Sequence, residues 1–147
     1  MKILIISPGK GHDHTVSEGV AEYQKRLGKK FLLEWAFPPA GTKDAEGAAI
    51  LKAIKKDDFV VLLDERGINI DTQAFSKLIG HHLQAGTKRL VFVIGGAYGV
   101  NEAVRARARM MVTISSLVFP HMLVRLMLTE QLYRAATIID GGKYHHG

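Results

Sequence analysis

Phe59-Val60-Val61-Leu62-Leu63 and Leu90-Val91-Phe92-Val93-Ile94 are two runs in which five consecutive side chains are apolar. A strand with one face in water alternates apolar and polar residues, whereas a strand covered on both faces by helices is apolar throughout. The two runs therefore predict the central strands of an α/β sheet, the second beginning one residue earlier, over Arg89–Ile94. Outward from them, Lys2–Ile6, Phe31–Phe37 and Met111–Ile114 are short stretches rich in branched or aromatic side chains and predict further strands.

The segments between have helical period. Val16, Val20, Tyr23 and Leu27 fall on one face, and so do Phe75, Leu78, Ile79 and Leu83, which follow Thr72 as a predicted N-cap. Asp44–Lys56 predicts a weaker helix, because Gly47 costs about 1 kcal/mol relative to alanine. Asn101 predicts the cap of a short helix reaching Arg107. Strands alternating with helices give a parallel, doubly wound sheet with helices on both faces. The last helix, Pro120–Ile138, differs from the others. Met122, Leu123, Val124, Leu126, Met127, Leu128, Leu132 and Tyr133 spread around most of its circumference, so it requires cover on more than one side. One such cover is a second subunit.

The chain has 147 residues, with 20 Lys and Arg against 14 Asp and Glu, a net charge of +6. A chain of this length buries roughly 68–70% of its unfolded surface, and no linker or repeat divides it, so residues 1–147 are read as one domain. With 47% hydrophobic and 23% charged residues, disorder, collagen and coiled coil are excluded. The absence of cysteine excludes a disulfide framework, a cysteine nucleophile and a zinc ribbon. The apolar start, Met1–Ile6, is too short for a signal-peptide core, and no run approaches the ~18 apolar residues of a membrane span. The expectation is a soluble, cytoplasmic protein without a membrane partner. The positive charge is compatible with a polyanionic partner such as nucleic acid, although many basic domains bind nothing acidic.

Open α/β sheets bind ligands beyond the carboxyl ends of their strands, and three segments stand there. They are Asp64-Glu65-Arg66-Gly67, Gly95-Gly96-Ala97-Tyr98-Gly99 and Ser115-Ser116-Leu117-Val118-Phe119-Pro120. The glycines permit close backbone approach, as a cofactor cradle or merely as a tight turn. Neither G-x-G-x-x-G nor a phosphate loop occurs. Asp64 and Glu65 are candidates for an acid and base pair, or for a solvated loop. On the last helix, His121, Arg125 and Thr129 form a polar line at i, i+4, i+8. Two readings of Arg125 stand: a cap on carbonyls or partner of an acid, and a charged fork for a phosphate or carboxylate. His12, His14, His81 and His82 read as solvated surface rather than as metal ligands.

Val93-Ile94-Gly95-Gly96-Ala97-Tyr98-Gly99, Ser115-Ser116-Leu117-Val118-Phe119-Pro120-His121-Met122-Leu123-Val124-Arg125, Glu130-Gln131-Leu132-Tyr133-Arg134-Ala135 and Tyr144-His145 closely resemble, in this order, the ribosomal RNA large subunit methyltransferase H family. The resemblance spans essentially the whole chain. The strand end Leu62-Leu63-Asp64, the turn at Gly67 and Pro39-Ala40-Gly41 also fall where that family has them. At the end the family commonly has a basic residue after Tyr-His, where this chain has His146 and Gly147.

The resemblance implies a SPOUT-class α/β fold with a C-terminal trefoil knot, which periodicity alone does not suggest, and a homodimer. It implies transfer of a methyl group from S-adenosyl-L-methionine to the N3 atom of a pseudouridine in helix 69 of 23S rRNA, with the ribosome as partner and no metal. Carried over residue by residue, the donor pocket falls on Leu63, Gly95, Ile114, Ser115, Ser116, Leu117, Val118 and Phe119. The active-region residues fall on His121, Arg125, Tyr144 and His145. Two other classes compete. A nucleotide-cofactor enzyme requires the missing glycine spacing, and a non-catalytic RNA-binding module leaves the glycine turn and serine-rich loop without a role.

Overall fold

A computed structural model describes residues 1–147. Five strands, β1 (Lys2–Ile6), β2 (Leu32–Ala36), β3 (Phe59–Asn69), β4 (Arg89–Ile94) and β5 (Met110–Thr113), form one sheet in the order β2-β1-β4-β3-β5. Every pairing in it is parallel. The predicted apolar strand β4 is the middle one, and β3 is its neighbour.

Side chains alternate between the faces of each strand, and the core divides accordingly. Ile3, Ile5, Val61, Leu90 and Phe92 pack with Leu27, Phe75, Ile79, Leu128 and Leu132 on one face. Those partners come from α1 (Ser17–Leu27), α3 (Thr72–Gln84) and α5 (His121–Ile139). Leu4, Ile6, Val60, Leu62, Val91 and Val93 pack with Ile50 and Val104 on the other, beneath α2 (Lys43–Ala53) and α4 (Glu102–Arg107). No helix is long and apolar enough to cross a membrane.

Several local expectations are corrected. The N-cap of α3 is Asp71, whose Oδ1 accepts the Ala74 N–H at 2.8 Å. Thr72 is the first helical residue, and its hydroxyl instead donates to Gln131 Oε1 at 2.9 Å, tying α3 to α5. Helix α2 begins one residue before the expected Asp44 and ends at Ala53, short of Lys56; it is capped by Thr42, which accepts from Ala45 N at 3.1 Å. Asn101 caps α4 as expected, accepting from Val104 N at 3.1 Å.

Strand β3 is longer than the apolar run. Both Leu63 and Ile68 register with Val112 of β5, so residues 64–67 leave the ladder and return to it. Gly67 makes the return possible, since a Cβ there would lie 2.6 Å from the backbone of Val112.

Helix α5 buries Leu128, Leu132, Ala135 and Ala136 and is flanked by α1 and α3. Its outer side is incompletely covered. Leu126 and Met127, with Tyr23, Ile70, Phe75 and Gln131, line an apolar hollow of about 610 Å³.

Candidate active site

The 64–67 excursion of β3 and the carboxyl ends of β4 and β5 open into one cleft of about 890 Å³. Of the residues assigned to the donor pocket, Leu63, Gly95, Ile114, Ser115, Leu117, Val118 and Phe119 line it, and Ser116 does not. His121 also lines it, at the start of α5.

The wall after β4 is a tight turn. Gly99 donates its N–H to Gly96 O at 3.0 Å and has φ +80°, a conformation that favours glycine. A Cβ on Gly95 would stand 3.4 Å from Gly99 Cα and C and from Val100 Cγ1, so bulk there would press on the turn. Across the cleft, Thr113 donates its hydroxyl to Ser115 O at 2.8 Å, and Ser115 Oγ accepts the Leu117 N–H at 3.0 Å. These two bonds shape the loop, which leaves Leu117 and Val118 mostly exposed at the lip.

The third wall carries charge. Asp64 Oδ1 accepts the Arg66 N–H at 2.9 Å, and Oδ2 accepts from Arg105 Nη2 at 3.2 Å. Arg105 Nη1 donates to Val100 O at 2.9 Å, so this ion pair joins the 64–67 excursion of β3 to the turn after β4. Burial pushes the Asp64 carboxyl up, but the Arg66 amide and the Arg105 and Arg66 guanidiniums outweigh it and hold it below the usual carboxylate range. Asp64 is thus a fixed carboxylate, and Glu65 is exposed. They do not form an acid and base pair.

Arg125 is fully buried. Its Nε donates to Ser7 Oγ at 2.8 Å, Nη1 to Lys10 O at 3.0 Å, and Nη2 to the carbonyls of Ser7 and Pro8 at 3.4 Å. The guanidinium carbon lies 4.7 Å from the Phe37 ring centroid. Of the two readings of Arg125, the structure contains the carbonyl cap, and the open anion fork is corrected. The strapped loop runs beside the cleft: His121 Nε2 is 3.8 Å from where a Cβ on Gly9 would lie.

Tyr144 and His145 stand elsewhere. The Tyr144 hydroxyl donates to Glu130 Oε1 at 3.1 Å and approaches Tyr23 OH at 3.5 Å. Arg134 pairs with Glu130, sits 4.7 Å above the Tyr144 ring and meets His145 Nδ1 at 3.1 Å. The Tyr23 hydroxyl, partial burial and the Glu130 charge together push the Tyr144 phenol above its ordinary value, so it remains protonated at neutral pH. Glu130 and Arg134 follow His121 on α5 (130 − 121 = 9 and 134 − 121 = 13 residues), a rise of roughly 14 and 20 Å. One chain therefore does not bring His121, Arg125, Tyr144 and His145 together.

Two of the remaining histidines, His12 and His82, depart from expectation. His14 and His81 are exposed, as surface residues should be. His82 is buried, with Nδ1 2.8 Å from Thr87 Oγ1 and its ring centroid 4.2 Å from that of Phe59. His12 is half-buried, edge-on to Trp35 at 4.4 Å, and burial together with nearby Arg125 lowers its pKa. Sequence reasoning missed the role of Arg105 and the Glu130–Arg134 pair; the i, i+4 spacing of Glu130 and Arg134 was the available signal.

The family model described as predicted SPOUT methyltransferase matches residues 1–145. The ribosomal RNA large subunit methyltransferase H of Trichlorobacter lovleyi is 40% identical over 154 aligned residues, covering 99% of this chain and 100% of that protein. The proteins of the same name from Geotalea daltonii and Parabacteroides distasonis are 36% and 38% identical, each over 99% of this chain and at least 99% of their own.

Proposed function

Since the chain belongs to the SPOUT methyltransferase family, we propose that it methylates ribosomal RNA, transferring a methyl group from S-adenosylmethionine to the N3 atom of a pseudouridine in helix 69 of 23S rRNA. The observation that carries this reading is the single cleft into which seven of the eight assigned donor-pocket residues converge. Bacterial ribosomes place such an enzyme in the cytoplasm.

The cleft fits the donor. Its volume of about 890 Å³ lies within the ~300–1,000 Å³ of small-molecule sites. Leu63, Ile114, Leu117 and Phe119 offer apolar wall for a nucleobase, and the glycine turn leaves backbone groups unshielded. When bound, S-adenosylmethionine supplies a methyl group already activated on a sulfonium.

The chain's own work is alignment, exclusion of water and removal of one proton. As the N3–C bond forms, the N3–H proton must leave the base. Of the assigned active-region residues His121 is the one that lines the cleft and is the candidate acceptor, whereas Asp64 is held by two arginines and Tyr144 keeps its own proton. Arg125 acts by holding the 7–10 loop beside His121.

The functional unit in this reading is a homodimer with the C-terminal trefoil knot of the family. The uncovered side of α5 and the separation of His121 from Tyr144 and His145 along that helix support a second copy that completes the site. Calorimetry with S-adenosylmethionine and light scattering at micromolar concentration test both parts. Micromolar donor binding by a dimer is expected; a stable monomer, or no heat of binding, would contradict the reading.

A further inference from the structure

Glu46 lies in the first turn of α2, is buried, and joins none of the ion pairs of the chain. A buried carboxylate without a cation needs other partners. One oxygen, Oε2, accepts the Gly41 N–H at 2.9 Å. The other, Oε1, stands 2.5 Å from the position a Cβ on Gly96 would take, with the carboxyl carbon at 3.2 Å. Residue 96 therefore cannot carry a side chain while Glu46 keeps this place.

The next residue repeats the relationship at the far end of the same segment. A Cβ on Gly47 would lie 2.4 Å from Asn101 Nδ2. Asn101 caps α4 through Val104 N, and its Nδ2 donates to Asp44 Oδ1 at 3.2 Å. The first turn of α2 thus holds both ends of residues 96–101, the wall of the cleft that contains the Gly96–Gly99 turn. Through Gly41 it also holds the loop leading to Lys43, another cleft residue.

We propose that Glu46 is a positioning residue for the methyl donor: its carboxylate, wedged between Gly41 and Gly96, sets the glycine turn against which the donor lies. This rests on the reading of the cleft as the donor site. It also accounts for glycine at position 96 by a contact that does not involve the donor itself.

The test is a titration of S-adenosylmethionine by calorimetry, with thermal unfolding in parallel, on wild type, Glu46→Ala, Gly96→Ala and the double variant. Removing the carboxylate and displacing it with a methyl group both end its packing against the glycine turn, so each single variant is expected to bind donor on the order of tenfold more weakly. The double variant is expected to lose about the same tenfold rather than a hundredfold, because the two sites are coupled. Its Tm should fall by less than the sum of the single losses, since truncation of Glu46 frees room for the methyl group introduced at position 96. In turnover, the loss should fall on the donor KM, with kcat recovered at saturating donor. Wild-type affinity in a folded Glu46→Ala protein, or losses that simply multiply, would overturn the proposal while leaving the donor reading intact. A wild type that binds no donor would overturn both.

Discussion

Arg125 Nε donates to Ser7 Oγ across 2.8 Å, and both side chains are fully buried. The bond fastens the start of α5 to the chain leaving β1. Its neighbours are the carbonyls of Ser7, Pro8 and Lys10, which have no other cation to meet. Burial lowers the arginine's pKa, but an arginine stays charged in a protein, so the site contains a permanent cation balanced by carbonyl dipoles.

Replacing Arg125 with alanine leaves these acceptors unpaired and opens a cavity, a loss of roughly 2–5 kcal/mol. Arg125→Lys should recover only part, because lysine keeps the charge without the planar fork. Urea denaturation checks this. A fully stable Arg125→Ala protein with impaired methylation would return Arg125 to direct contact with RNA.

Gly95→Val should abolish donor binding while the protein stays folded. The Cβ would already stand at 3.4 Å from the Gly99 backbone, and two methyl groups beyond it displace the turn at a cost of about 1–3 kcal/mol. Calorimetry with circular dichroism decides it, and wild-type affinity in the folded variant would count against the pocket.

Asp64→Asn should weaken the bridge to Arg105 by about 1.5–3 kcal/mol, the range for hydrogen bonds to charged groups. The sign follows from the lowered Asp64 pKa. Its stabilisation is full above the ordinary carboxyl value of 3.8 and fades as pH falls through the lower folded value. The gap in Tm between wild type and Asp64→Asn should therefore shrink as the pH is taken below 3.8, and a gap that widens under acid would contradict the assignment.

Tyr144→Phe removes the hydroxyl from Glu130 and Tyr23, a loss of roughly 0.5–1.5 kcal/mol. Because the folded phenol has a raised pKa, its stabilisation is complete below the ordinary value of 10.0 and declines as pH rises beyond it. The stability gap between wild type and Tyr144→Phe should narrow in alkali. A constant gap up to pH 11 would show that the phenol is unperturbed.

Much of the fold was legible because strand and helix periods are local. The unbroken apolar runs located β3 and β4, and Asn101 announced its helix. What escaped was set by tertiary approach. The return of β3 after Leu63 depends on Gly67 lying on the Val112 backbone, a contact with a strand more than forty residues away (112 − 67 = 45). Gly47 read as a weakness of α2, and is instead the surface on which Asn101 rests. His82 read as solvated because polarity suggests exposure, whereas Thr87 satisfies its ring nitrogen within the core. The cleft proposed for the donor was visible in the glycine and serine segments at strand ends. The carbonyl strap of Arg125 was only one of two readings, since sequence does not say which way a guanidinium turns.

The central claim is tested most directly by mapping the methyl group itself. Ribosomes lacking the modification are incubated with the protein and isotopically labelled S-adenosylmethionine, and digested 23S rRNA is analysed by mass spectrometry. The account predicts one labelled methyl group per ribosome, on N3 of a pseudouridine in helix 69. Label at another nucleotide, or none from folded protein that binds the donor, would contradict it.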